Sequence, residues 1–162
     1  MSPIFGLATL RSSGLVAAAI LAVSFVGPAH AVSTRVDDSG TMVSESVVPM
    51  KWAQLVPGRG ADHSVYANVR VAVRLNLVNW LNQPVRLYMG LAPTTGEKVT
   101  AAWRTQGRLL PGDLRSGSRT LIFNGIVSTA ALEETIDLAL KTDGRTLVSP
   151  QALQFFFEVD TP

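Results

Sequence analysis

Apolar and polar residues alternate along most of the chain beyond residue 31. From Ser64 to Trp80 the residues Val69, Val71, Val73, Leu75 and Leu77 interleave with Arg70, Ala72, Arg74 and Asn76. Successive side chains of a strand point to opposite faces, so this spacing lines one face with aliphatics and the other with arginines; a helix would scatter them. After Asn82-Gln83-Pro84, Val85, Leu87, Met89 and Leu91 alternate with Arg86 and Tyr88 and predict a second strand, hairpin-paired with the first. Further strands are predicted over Val99 to Thr105, Arg119 to Asn124 and Thr135 to Lys141. Asp143-Gly144 suggests a type I′ turn with positive φ at both central residues, returning through Thr146 to Val148. The last strand, Ala152 to Val159, places Leu153, Phe155, Phe157 and Val159 on one face and Gln154, Phe156 and Glu158 on the other. Ser128 to Thr135, with Ala-Ala-Leu-Glu-Glu behind a hydroxyl cap, favours a helical turn, and at most one short helix is expected there.

Seven or eight strands at this spacing predict a single antiparallel β-sandwich of the immunoglobulin-like kind over residues 50–162, with a barrel as the second choice. Residues 32–49, rich in Ser, Thr, Asp and Val and broken by Asp38-Ser39-Gly40, form an extended N-terminal arm. Residues 1–31 have the order of a cleaved, helical, Sec-type signal peptide: a short segment charged only by Arg11, an apolar run from Leu15 to Val26, then Gly27-Pro28 and the small residues Ala29 and Ala31. The run is shorter than the ~20 residues that span a bilayer. Cleavage between Ala31 and Val32 predicts an exported domain, in the periplasm or at the cell surface, with no stable membrane insertion after processing.

The leader carries one of the 14 Lys and Arg residues and none of the 12 Asp and Glu, so the remainder is close to neutral. Net charge therefore offers no argument for nucleic acid as a partner. There is no cysteine, which removes disulfides, lipidation at cysteine and thiol nucleophiles. Zinc is disfavoured by inventory, since His63 is the only histidine beyond the leader. His63 has Asp62 and Ser64 as neighbours, but adjacency does not make a triad, and no Gly-x-Ser-x-Gly elbow occurs. Asp37-Asp38 and Glu133-Glu134 match no calcium loop, and Gly90 to Lys98 departs from the phosphate-binding spacing. No cofactor and no catalysis are expected. The segment Arg104 to Arg119, with Arg104, Arg108, Arg115 and Arg119 against Asp113 alone, could hold an anionic glycan or an acidic protein surface. Trp52, Trp80, Trp103, Tyr66 and Tyr88 are expected mainly in packing.

An exported all-β chain of this length, with an extended arm at one end and a strongly alternating strand at the other, resembles the subunits of chaperone-usher pili. The resemblance implies a non-enzymatic structural subunit of a surface fibre, with an incomplete immunoglobulin-like fold that the arm of the next subunit completes by strand addition. It also implies a periplasmic chaperone and an usher as partners besides other copies of the chain. On this chain the donor side chains would be Val32, Val36, Val43 and Val47, and Leu153, Phe155, Phe157 and Val159 would line the acceptor groove. The alternative is a periplasmic or secreted binding module for an anionic glycan or a protein.

Overall fold

The structure, a computed structural model, describes residues 32–45, 47–54, 60–94, 98–147 and 152–161. The leader with Ala29 and Ala31, and Val148 of the expected returning strand, lie outside the described residues. The described chain forms two antiparallel sheets packed face to face, the sandwich expected from the alternation. In chain order the strands are β1 (Val32–Arg35), β2 (Met42–Val43), β3 (Lys51–Trp52), β4 (Ser64–Asn76), β5 (Pro84–Leu91), β6 (Thr100–Thr105), β7 (Gly112–Arg115), β8 (Arg119–Ile126), β9 (Ala131–Asp143) and β10 (Phe155–Thr161). One sheet has the order β1-β10-β5-β8; the other runs β2-β4-β9-β6-β7, with β3 also paired to β4.

The core lies between the sheets. Leu75 and Leu77 from the β4 side meet Leu87 and Val159 from β5 and β10, all almost fully buried, and Ile122, Leu114, Leu132 and Trp103 close the ends of the cluster. The outward residues of β4 and β9 face each other in ion pairs, Arg70 to Asp137 at 3.0 Å and Arg74 to Glu133 at 3.1 Å. Both are exposed and so stabilise by only about 0.5 kcal/mol each, but they disfavour a one-residue slip that would turn the aliphatics outward.

Three expectations are corrected. The predicted hairpin between the first two strands does not form, because β4 and β5 belong to different sheets. The strand stops at Asn76, and a single turn of 3-10 helix, Val78–Trp80, followed by Asn82 in the left-handed region at φ 61°, carries the chain from one sheet to the other. Asparagine tolerates that conformation better than most residues, and the buried indole of Trp80 fills the corner. The predicted helix at Ser128 to Thr135 is absent: from Ala131 onward it is strand β9, registered with β4 from Ala131↔Asn76 to Asp143↔Ser64. A thirteen-residue ladder with Leu132, Ile136, Leu138 and Leu140 facing inward outweighs a local helical preference of a few tenths of a kcal/mol per residue. Lastly, the turn after Asp143 has no positive φ; Thr146 N–H donates to the Asp143 carbonyl at 3.1 Å across an ordinary four-residue turn. Gly144 is needed there because a Cβ would strike the Trp52 ring, 2.5 Å away.

Two strands, β3 and β7, were not foreseen; β7 is the longer. It lies within the arginine-rich segment, which is therefore partly sheet: Ala101 faces Leu114 and Trp103 faces Gly112. Replacement of Leu75 by Ala is expected to cost about 3 kcal/mol in urea unfolding, whereas Val78→Ala, at an exposed position, should change stability by less than about 0.5 kcal/mol.

Candidate functional site

The arm is folded onto its own domain and touches both sheets. Strand β1 lies antiparallel beside β10, from Val32↔Thr161 to Arg35↔Glu158. The Val36 N–H then donates to the Phe157 carbonyl at 2.9 Å, and the Val36 side chain, 2% exposed, enters the core. Asp37 crosses to the other sheet and bridges Asn76 at the end of β4. A tight turn through Ser39 and Gly40 follows, in which the Asp37 carboxylate accepts from the Ser39 N–H and is held below its ordinary range chiefly by hydrogen bonding to Ser39. Thr41 is then tied to Arg74 through two hydrogen bonds, its hydroxyl donating to the Arg74 carbonyl and accepting from the Arg74 N–H.

Of the predicted donor side chains, Val36 is thus buried and Val32 lies in β1, while Val43 in β2 and Val47 beyond it are 52% and 79% exposed. Of the predicted groove residues, Phe157 and Val159 are buried in β10, Phe155 opens that strand half-buried, and Leu153 precedes it and packs on the core.

The outer face of the same sheet carries a polar knot that sequence reasoning missed. Arg119, at the start of β8, reaches across the three other strands. Its guanidinium lies 4.4 Å from the centre of the Tyr88 ring in β5, forks onto Asp160 in β10 at 3.1 and 3.0 Å, and donates to Glu158 and to the Ser33 hydroxyl of β1, each at 3.1 Å. The Ser33 hydroxyl in turn donates to Glu158 at 3.1 Å. Asp160 is 8% exposed, so its pairing is a bidentate contact largely removed from water and stronger than the exposed pairs on the other sheet. Hydrogen bonding to Asp160 raises the Arg119 pKa above its ordinary value. Alongside, Arg35 stands over Phe156 at 5.0 Å, and Phe156 covers Gly90, where any Cβ would collide with the ring.

A β-bulge aims Arg119 into this knot. The register of β5 and β8 shifts between Leu87↔Phe123 and Tyr88↔Leu121, so that Ile122 is the extra residue. Without it, a strict alternation from Ile126 would put Arg119 on the core side; with it, Arg119 falls beside Gly90 on the outer face. The signal available in the sequence was an acid at every second position, Glu158 and Asp160, on the outward side of an otherwise apolar strand.

The four arginines proposed as one binding loop are not brought together. Arg119 is on the outer face of the β1 sheet; Arg104 and Arg115 are in β6 and β7 of the other sheet, and Arg108 is in the loop between those two strands. That loop is held instead by Glu134, whose carboxylate faces inward and accepts from the backbone N–H groups of Gly107, Arg108 and Leu109 at 3.2, 2.8 and 3.1 Å and from the Thr105 hydroxyl. The aromatic residues do not form one platform: Trp80 and Trp103 are buried, with the Trp103 Nε1–H donating to the Leu110 carbonyl at 2.9 Å, while Trp52 and Tyr66 are exposed.

His63 borders a depression of about 410 Å³ with Asp62, Lys98, Lys141, Asp143 and Arg145. Its acids serve the adjoining turns: the Asp62 carboxylate accepts from the Ser64 N–H and hydroxyl, and Asp143 pairs with Arg145 at 2.6 Å. Among the described residues no group of three or more His, Asp or Glu is placed to hold a metal ion, and no helix is long and apolar enough to cross a membrane. No family model matches the chain, and no curated protein or solved structure shows significant similarity to it.

Two predictions follow from these contacts. Glu134→Gln keeps the shape but removes the charge that three N–H groups share, and is expected to cost about 2 kcal/mol in chemical unfolding and to speed amide exchange at residues 107–109. Hydrogen bonds from the Arg145 side chain and then its backbone N–H hold Asp143 down to about 2 from an ordinary 3.8. The folded-state pKa is depressed, so the stabilisation is present above about pH 4 and is lost as pH falls towards 2. A carboxyl titration followed by NMR should place the Asp143 midpoint near 2, and Arg145→Ala should return it towards the ordinary carboxylate range.

Proposed function

We propose that the chain is an exported, non-enzymatic structural subunit of a surface fibre, and that copies assemble by exchanging their N-terminal arms, β1 of one pairing with β10 of the next. The observation that carries this reading is the place of β1. In immunoglobulin-like sandwiches, strands B, E and D share one sheet with A at its edge, and C and F share the other with G beside F. Here β2, β4, β9 and β6 stand in the order A, B, E, D, and β5 and β10 stand as C and F. The position of G, antiparallel to β10, is taken by the N-terminal arm.

An arm in this position can leave and be replaced at little cost. Among the described residues its contacts are four ladder residues, the buried Val36 side chain, the knot at Ser33 and Arg35 over Phe156, and a polar turn at Asp38-Ser39-Gly40 follows it. A second copy's arm would make the same contacts, so exchange changes topology without requiring new chemistry. Head-to-tail exchange in which the rotation does not close yields a filament. Export through residues 1–31, cleavage after Ala31 and escort by a periplasmic chaperone and usher complete the proposal. The alternative of an anionic-glycan or protein-binding module has less support, since Arg104, Arg108, Arg115 and Arg119 do not converge.

The chain lacks cysteine, so a pair can be introduced cleanly at Thr34 and Val159, which face each other across β1 and β10. At protein concentrations of order millimolar, where copies compete with the attached arm, oxidised Thr34→Cys/Val159→Cys protein, beginning at Val32, is expected to give a series of covalent multimers on a non-reducing gel, and wild-type protein a heat-sensitive series on unboiled gels. Deletion of residues 32–48 should abolish both. Exclusively intramolecular disulfides at every protein concentration, with monomers alone on unboiled gels, would overturn the reading.

A further inference from the structure

We infer that the groove beside β10 reads the sequence of the strand it receives, through Arg119, Glu158 and Phe156. The strand it accepts has the pattern hydroxyl, any residue, cation, apolar, as in Ser33-Thr34-Arg35-Val36, and its occupant is the arm of a second copy. The inference rests on the exchange reading above and adds specificity to it.

Backbone pairing alone would take any extended segment, because the ladder bonds carry no side-chain information. Three features supply that information. The Ser33 hydroxyl is bonded on both sides, donating to Glu158 and accepting from Arg119. Only a small group with donor and acceptor on one atom satisfies both, since Glu158 offers an acceptor and Arg119 a donor. Two residues on, the strand presents a cation directly opposite Glu158 and over the Phe156 ring. An acid there would face Glu158, and like charges opposed across a ladder are unfavourable. One residue further, Val36 fills a closed apolar site. Thr34, between them, is exposed and contributes no side-chain selection.

Arg119 is the organising residue, because its fork on Asp160 sets the guanidinium at the height of the incoming hydroxyl. Asp160 is itself nearly buried. The reader is thus assembled from β8 and β10 before any strand arrives, and Gly90 leaves room for the Phe156 ring to lie flat under the cation. The groove admits the chain's own arm and discriminates against an extended segment lacking the hydroxyl and the cation, which is a specificity requirement in a compartment where other strands are available.

The test uses two full mature chains, one tagged on its arm by Thr34→Cys and one tagged in its groove by Val159→Cys, so that a disulfide between the two tags forms only in trans. The wild-type arm should crosslink. An arm that also carries Arg35→Glu should crosslink about fivefold less, and should recover on a groove chain carrying Glu158→Arg. Ser33→Ala in the arm should lower the yield about threefold on the wild-type groove and by less on an Arg119→Gln groove, where only the bond from the Ser33 hydroxyl to Glu158 is left to lose. Equal yields from all arms on the wild-type groove would overturn the sequence reading while leaving exchange intact. No crosslink from the wild-type arm would mean that exchange itself fails, and the inference falls with it. Circular dichroism of each variant confirms that the chains compared are folded.

Discussion

Everything in this sandwich turns on the unsatisfied side of its last strand. β10 pairs with β5 on one side, and its inward residues Phe157 and Val159 are buried in the core. On the other side seven residues of backbone donors and acceptors need partners, and an open apolar edge of that length invites pairing with any other chain. The four residues of β1 and the N–H of Val36 meet that need. β2 in the rest of the arm, and β3 just after it, cover the opposite sheet in the same way, both lying along β4. One connected segment therefore protects both of the edges that β4 and β10 would otherwise present.

The two halves of the arm are held by different means. β1 is short and its described side chains are exposed, the buried Val36 lying just beyond it, so most of its attachment is ladder hydrogen bonds plus the contacts of Ser33 and Arg35 on the outer face. Beyond the turn, Thr41 is tied twice to Arg74, whose guanidinium also pairs with Glu133. Exposed pairs of this kind contribute little each, yet they fix the second half to β4 independently of what β1 does. On the exchange proposed above, detachment of residues 32–36 alone would leave β4 covered by β2 and β3.

Local pattern and non-local pairing divide what the sequence reveals. The faces of β4, β5 and β10 were legible because alternation is a property of consecutive residues, and Val69 to Leu77 could be assigned without knowing their partners. The identity of the sheets was not, because nothing local distinguishes a hairpin from the corner at Val78–Trp80. The mistaken helix at Ser128 to Thr135 has the same origin: Ala-Ala-Leu-Glu-Glu is helical by preference and becomes strand only against thirteen residues of β4. At the candidate site, the arm and the terminal strand were visible, and Val36, Phe157 and Val159 are buried in the core between the sheets. Arg119 was noticed for the wrong company. Its partners are 31 to 86 residues away in sequence, and its direction depends on one extra residue at Ile122. Glu134 was read as half of an acidic pair, whereas its neighbour Glu133 points the other way, as adjacent residues in a strand must.

Under the proposed exchange, the balance between a closed monomer and an assembled fibre would be a matter of concentration rather than of new contacts. An attached arm competes for its own groove at an effective concentration of order millimolar for a short flexible connection, and the short turn after Asp37 keeps it near that groove. Spontaneous exchange among dilute copies is accordingly unfavourable, although every contact it would make is available. Anything that holds the arm away from β10, or presents many grooves at once, tips the balance without touching the domain. On the exchange proposed above, a chain with such an arm would stay monomeric where it is scarce and would assemble where many grooves are presented together.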